Sequence, residues 1–186
     1  MIIAIIPAKG YSNRLPNKNM HPLLGKPLLQ YAIDFAQASK KVSNIYISTD
    51  DETIIEYAVS QKIEFIKRDA ALGGETPLID VYRHALNTLK LKNISIVVGV
   101  QPDHPDRNVL LDDSLEYFES HQLDFMLSTD SDGTKNGAQN IMSAKGIISG
   151  EFKRIGQIED DCTNIHYESD LVMAEERLRS KISIDI

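Results

Sequence analysis

The chain has 186 residues, 42% of them hydrophobic, and a formal net charge of −7 from 20 Lys+Arg against 27 Asp+Glu. Those values describe one ordinary soluble globular domain, and they exclude disorder, collagen and coiled coil as whole-chain readings. The acidic balance speaks against a nucleic-acid binder and against an anionic membrane surface. A single cysteine, Cys162, excludes an intrachain disulfide and any Cys-cluster metal site. No apolar run approaches the length of a transmembrane helix, and MIIAIIPAKG lacks the basic start and long apolar core of a signal peptide. The expected compartment is the reducing cytoplasm.

Ile2 to Ile6 is a continuous apolar run stopped by Pro7, the pattern of a strand covered on both faces. A polar loop follows from Ala8 to Pro22. Pro27 fits the first turn of a helix with Leu29, Ala32, Ile33 and Ala36 on one face. Ile45 to Ile47 predicts a second buried strand, ending in Ser48-Thr49-Asp50. Asp50 or Asp51 can cap the next helix, with Ile54, Ile55, Ala58 and Val59 inward. Glu64 to Ile66 is a short third strand. A loop with Gly73 and Gly74 leads to Thr76 as N-cap and Pro77 as first helical residue, and that helix buries Leu78, Tyr82, Ala85, Leu86 and Leu89.

Ile94 to Val100 is the longest β-branched run and reads as the central strand, broken by Gln101-Pro102-Asp103-His104-Pro105. Leu111, Leu115 and Phe118 mark another amphipathic helix, with Asp112 and Asp113 at its start, where they suit the dipole. Phe125 to Leu127 is a strand, residues 129–140 read as a loop, and Asn140 to Ala144 as a further strand. Leu171, Ala174 and Leu178 share one side of a last helix. Alternation of this kind predicts a single α/β domain with a mostly parallel sheet and helices on both faces. Ligands then bind beyond the carboxyl ends of the strands.

The loop IIPAKGYSNRLPNKN directly follows the first strand. Lys9, Arg14 and Lys18 place three cations within ten residues, spaced by Gly10, Ser12 and Asn13. Small residues let backbone N–H groups approach an anion and the cations neutralise it, which is what a triphosphate requires. A solvated basic loop is the plain alternative. A Walker loop is excluded, since Gly25-Lys26 has Met20 and Pro27 at the flanking positions, and no GxGxxG fingerprint is present.

With PLLGKPLLQYAI after it, this block resembles the opening of the sugar cytidylyltransferases, the acylneuraminate and Kdo branches, which share IPAR-x-x-S-x-R-x-P-x-K-N/P and a G-K-P-L stretch. Lys9 stands in the first Arg position, while Ser12, Arg14, Pro16 and Lys18 match and Asn19 matches the sialic-acid branch. YISTDDETIIEYA, Lys67-Arg68-Asp69, Thr76 with its helix, VVGVQPDHPDR and IHYESDLVMAEERL resemble later segments of the same family. The resemblance covers most of residues 1–128 and again 164–178. It implies a Rossmann-like GT-A nucleotidyltransferase fold, and transfer of CMP from CTP to an acidic, sialic-acid-like sugar with release of pyrophosphate. It implies Mg²⁺ as cofactor, Lys9, Arg14 and Lys18 as the charge-neutralising catalytic set, and Ala8, Ser12, Asn13, Asn19, Arg68, Thr76 and Gln101 around the nucleotide or sugar. Asp103 matches the Kdo-type metal aspartate.

Two departures stand out. Asn164 and His166 occupy the positions of the sialic-acid branch's aspartate pair, and Mg²⁺ prefers carboxylate oxygen to either. Only Thr129 to Asn136 precedes Asn136-Gly137-Ala138, where the family has a longer stretch, so the chain is expected to lack the dimerisation arm. A homodimer is left open. An active transferase, a nucleotide-binding homologue that lost its metal, and a nucleotidyltransferase for another sugar (Kdo-like) are the competing functions. Cys162 is expected to be inert, His84 solvated, His21 either packed or phosphate-facing, His104 at the pocket wall, and Asp170 at the cap of the last helix.

Overall fold

In the computed structural model, which describes residues 1–73 and 76–184, the first strand β1 runs over Ile2–Pro7. Its side chains alternate between two cores, because successive residues of a strand point to opposite faces. Ala4 and Ile6 enter one apolar cluster and Ile3 and Ile5 the other. After a 3₁₀ turn at Lys18–Met20 come the two-residue strands β2 (Pro22–Leu23) and β3 (Lys26–Pro27) and helix α1 (Leu28–Gln37). Pro27 is thus the N-cap, one residue before the helix. Strand β4 (Val42–Thr49), helix α2 (Glu52–Ser60) and strand β5 (Glu64–Lys67) follow. Asp51 caps α2, accepting from the Ile54 N–H at 3.1 Å. Ile54 and Ala58 are buried, but Val59 is 60% exposed, since it lies one helical step beyond that face.

Helix α3 (Leu78–Leu89) packs Val81, Tyr82 and Ala85 most deeply. Pro77, not Thr76, is its N-cap, and the Thr76 hydroxyl donates to the Gly73 carbonyl instead. Gly74 lies outside the described residues. Strand β6 (Ile96–Val100) is fully buried, and helix α4 (Leu111–Ser120) covers it with Leu111, Leu115 and Phe118.

Strand β7 (Phe125–Thr129) is joined by residues 130–134 to β8 (Lys135–Ser143). The stretch expected to be loop to residue 140 is therefore strand from Lys135 onward. Its polarity misleads because Asn136 is buried with every side-chain polar atom paired: Oδ1 accepts from Ser128 Oγ and the Ala138 N–H, and Nδ2 donates to Asp130 Oδ1 and the Asp160 carbonyl. Helix α5 (Ala144–Ser149), capped by Ser143, and edge strand β9 (Ile155–Glu159) were not apparent from periodicity. Helix α6 (Glu168–Ile184) ends the described chain.

Seven of the strands form one sheet, ordered β5-β4-β1-β6-β8-β7-β9, with β6 central and β8 its one strand antiparallel to its neighbours, while β2 and β3 pair separately. Leu15, Leu23, Leu28, Tyr31, Ile165, Leu171 and Ala174 form a third apolar cluster. It fastens α6 and the segment before it to the loop that leaves β1. The carboxyl ends of β1, β4 and β6 consequently share a rim with residues 160–166. No helix of the described residues is long and apolar enough to cross a membrane.

Candidate functional site

A cleft of about 290 Å³ opens at that rim. Lys9, Ser12, Arg14, Lys18 and Asn19 line it from the loop after β1, Arg68 and Thr76 from the segment after β5, and Gln101 and Asp103 from the end of β6. Nine residues selected from sequence are thereby brought together. Ala8 and Asn13 are not part of the lining. The Ala8 N–H donates to the Ser48 carbonyl and extends the sheet, and Asn13 is exposed. His21 faces a neighbouring cavity of about 360 Å³ on the other side of the loop.

The loop is held in place from below. Asn19 Nδ2 donates to the Lys9 carbonyl at 2.8 Å. A Cβ on Gly10 would collide with the Asp51 side chain, so only glycine permits the loop to cross the start of α2 so closely. Lys9 and Arg14 remain exposed, with the Arg14 guanidinium 5.9 Å from the centre of the Tyr167 ring. Arg68 is buried and bonds Asp50 Oδ1 at 3.1 Å. Burial lowers its pKa from the ordinary arginine value, and Asp50 opposes that shift. Gln101 Nε2 donates to the Gly137 carbonyl at 2.6 Å.

Asp103 sits at the floor. Its Oδ2 meets Lys18 Nζ at 2.5 Å and its Oδ1 meets His104 Nδ1 at 3.0 Å. Burial alone would raise the pKa of this carboxyl; His104 and Lys18 more than reverse that and hold it well below the usual carboxylate range. The His104 ring is fully buried, behind the wall rather than in it, and its Nε2 lies 2.9 Å from the Asn136 carbonyl. His104 thus ties Asp103 to β8.

Sequence reasoning did not single out two further anchors. Arg107, its guanidinium 4.8 Å over the Phe35 ring, donates to the carbonyls of Gln101, His104 and Ala138. Asp106 accepts from the Thr163 N–H at 2.8 Å and Thr163 Oγ1 at 2.9 Å, and pairs with Arg177 Nε at 2.8 Å. These bonds lay residues 160–166 against the cleft. The Ile165 N–H then donates to the Asp103 carbonyl, and the Ile165 carbonyl accepts from Lys18 Nζ at 3.0 Å. The only hint in the sequence was that Asp106 and Arg107 stand in the polar run after the central strand.

A family model described as cytidylyltransferase matches residues 3–136. The chain belongs to the cytidylyltransferase family. The 8-amino-3,8-dideoxy-manno-octulosonate cytidylyltransferase of Shewanella sp. (strain ANA-3) is 33% identical over 132 residues, 69% of this chain and 51% of that protein. The protein of the same description from Shewanella oneidensis matches to the same extent. The chain thus spans about half the length of the curated relatives it matches. Among solved structures, CMP:2-keto-3-deoxy-manno-octonic acid synthetase complexed with CTP has a TM-score of 0.76 at 13% identity, over 100% of this chain and 99% of that one. A cytidylyltransferase from Leptospira borgpetersenii has 0.70 at 19% identity, over 98% and 95%. The fold is the α/β nucleotidyltransferase fold expected from the sequence.

The donor set at the floor lacks the aspartate pair that the sequence resemblance implied. Asp103 is the one carboxylate among the described residues of the lining, and protein donors occupy both of its oxygens. Beside it, Asn164 and His166 present a neutral amide and an imidazole, and Asn164 Oδ1 and His166 Nδ1 are buried atoms without a hydrogen-bond partner. Burial, then Arg14 and Lys18, lower the His166 pKa and favour its neutral ring. Asp170 instead accepts from the His166 and Tyr167 N–H groups and caps α6. Among the described residues no three His, Cys, Asp or Glu side chains are grouped to hold a metal. Among the described residues this set suits Mg²⁺ poorly: the ion is commonly held by one or two carboxylates plus substrate phosphates, and Asp103 already carries Lys18 and His104. Cys162 is buried, and burial pushes its thiol pKa up, against a nucleophilic role.

Proposed function

We propose that this protein is a cytidylyltransferase that joins the CMP unit of CTP to an acidic sugar and releases pyrophosphate. One observation carries the proposal: a single cleft at the carboxyl ends of the strands collects Lys9, Arg14, Lys18 and Arg68 around Gln101. A sugar hydroxyl attacks the α-phosphorus, the new P–O bond forms, the bond to the bridging oxygen of pyrophosphate breaks, and the hydroxyl proton is released to water. Negative charge grows on the leaving group. Lys18, fixed beforehand by Asp103 and the Ile165 carbonyl, stabilises that charge with little reorganisation, and the exposed Lys9 and Arg14 add theirs. Lys9, Arg14 and Lys18 serve the phosphates; Arg68 and Gln101 serve the nucleoside or the sugar.

The relatives' names support an octulosonate-type acceptor, an alternative to the sialic-acid type that Asn19 suggested. A second reading has one observation in its favour. Asn164 and His166 in place of carboxylates suit a nucleotide-binding homologue without transferase activity. The deciding experiment incubates the protein with CTP and either 8-amino-3,8-dideoxy-manno-octulosonate, the 8-hydroxy analogue or a sialic acid, with and without Mg²⁺, and detects CMP-sugar by chromatography. CMP-sugar from one acceptor establishes the transferase. CTP binding without product from any of them establishes the homologue.

A further inference from the structure

The contact between Lys18 and Asp103 is largely enclosed. The two side chains are 15% and 14% exposed, and Nζ and Oδ2 are 2.5 Å apart. The other carboxylate oxygen holds His104, and the lysine's second bond goes to the Ile165 carbonyl at 3.0 Å. The lysine is therefore fixed between one anion and one carbonyl, the kind of oxygen cage that a divalent ion would otherwise use. A divalent ion on Asp103 would have to evict this ammonium. It would then face Lys18 and Arg14 with no second carboxylate among the described residues of the lining to offset their charge.

We propose that the Lys18 ammonium, held by Asp103 and the Ile165 carbonyl, takes the place of a divalent ion in this cleft, so that a nucleoside triphosphate is bound by the protein's own cations and gains nothing from Mg²⁺. This rests on the nucleotide-binding reading above. The charges agree with it: among the described residues of the lining, Lys9, Arg14, Lys18 and Arg68 stand against Asp103, with Asp50 paired to Arg68 from outside the lining, so cations outnumber carboxylates. Free Mg²⁺ chelates CTP in solution and competes with those cations for the same phosphate oxygens.

Isothermal titration of the full chain with CTP, in EDTA and in excess Mg²⁺, tests this directly. The Kd in EDTA should be tighter than, or within about threefold of, the Kd in Mg²⁺. Tightening by about tenfold or more on adding Mg²⁺ would overturn the inference and leave the nucleotide reading intact. No CTP binding in either buffer would sink both. A second titration uses Lys18→Met, which removes the ammonium and frees Asp103 Oδ2. In EDTA its affinity for CTP should drop about tenfold or more, and Mg²⁺ should restore part of the loss. Loss of affinity seen only in Mg²⁺ would show that Lys18 assists a metal rather than replacing one. The wild-type pair of titrations stands whether or not the variant folds.

Discussion

Lys18→Met tests the Lys18–Asp103 contact by stability as well as by binding. It leaves a largely buried carboxylate with His104 as its remaining side-chain partner. Removing one member of a fully buried pair costs about 3–5 kcal/mol. Here both side chains keep some water contact and His104 still serves Oδ1, so a loss of about 2–3 kcal/mol is expected. For a domain of this size that is a fall in Tm of about 4–12 °C. Asp103→Asn in the same background removes the stranded charge and should recover part of the loss. Urea denaturation of the wild type, the two single variants and the double variant completes the cycle. A coupling of about 1.5–3 kcal/mol is expected for two charge-bearing groups in direct contact. A coupling below about 0.5 kcal/mol, the level at which independent sites add, would refute the claim that the two groups act as a unit.

Gly137→Ala should destabilise the protein by about 1–3 kcal/mol and weaken ligand binding, since Gly137 has φ +82° and an added Cβ would lie 2.5 Å from Gln101 Nε2; denaturation and CTP titration read the two effects, and wild-type behaviour in both would refute the packing argument. Asp106→Asn should cost about 1.5–3 kcal/mol and speed amide exchange in residues 160–166, because an amide cannot accept from Arg177 Nε and both Thr163 donors at once; unchanged exchange would show that those residues are held elsewhere. The Asp103 pKa is depressed in the folded chain, so its contribution to stability is full above the unfolded value of about 4 and is lost as pH falls towards the folded one. Asp103→Asn should therefore flatten the acid limb of stability against pH below about pH 4, and an unchanged limb would count against the argument.

The parallel half of the sheet was legible because it is hydrophobic on both faces. Ile2 to Ile6 and most of Ile94 to Val100 are covered strands, as their short β-branched runs ended by Pro7 and Pro102 suggest, although the second begins only at Ile96. The other half was less so for two different reasons. β8 carries Asn136, Gln139 and Asn140 at buried positions, and their polarity imitates a loop. β9 is an edge strand in which Ile155 is 62% exposed, so tertiary pairing with β7 defines it more than any pattern of its own.

The candidate site divides in the same way. Nearly everything that faces the cleft was visible, since Lys9 to Asn19 is one contiguous loop and Gln101 to Asp103 one turn after a strand. What holds those groups was hidden, because each anchor acts across the chain: His104 reaches a carbonyl 32 residues away, Arg107 one 31 residues away, and Asp106 the Thr163 backbone 57 residues away. The same distance in sequence conceals the relation of Lys18 to Ile165, 147 residues apart. A charge in the loop can be read as phosphate-binding from its neighbours alone. Whether it arrives free or already neutralised depends on Asp103, 85 residues further on, and the Ile165 carbonyl from the far end of the chain gives the lysine its second bond. The Lys18 substitution acts on this arrangement from the loop and the Asp106 substitution from the segment that carries Ile165.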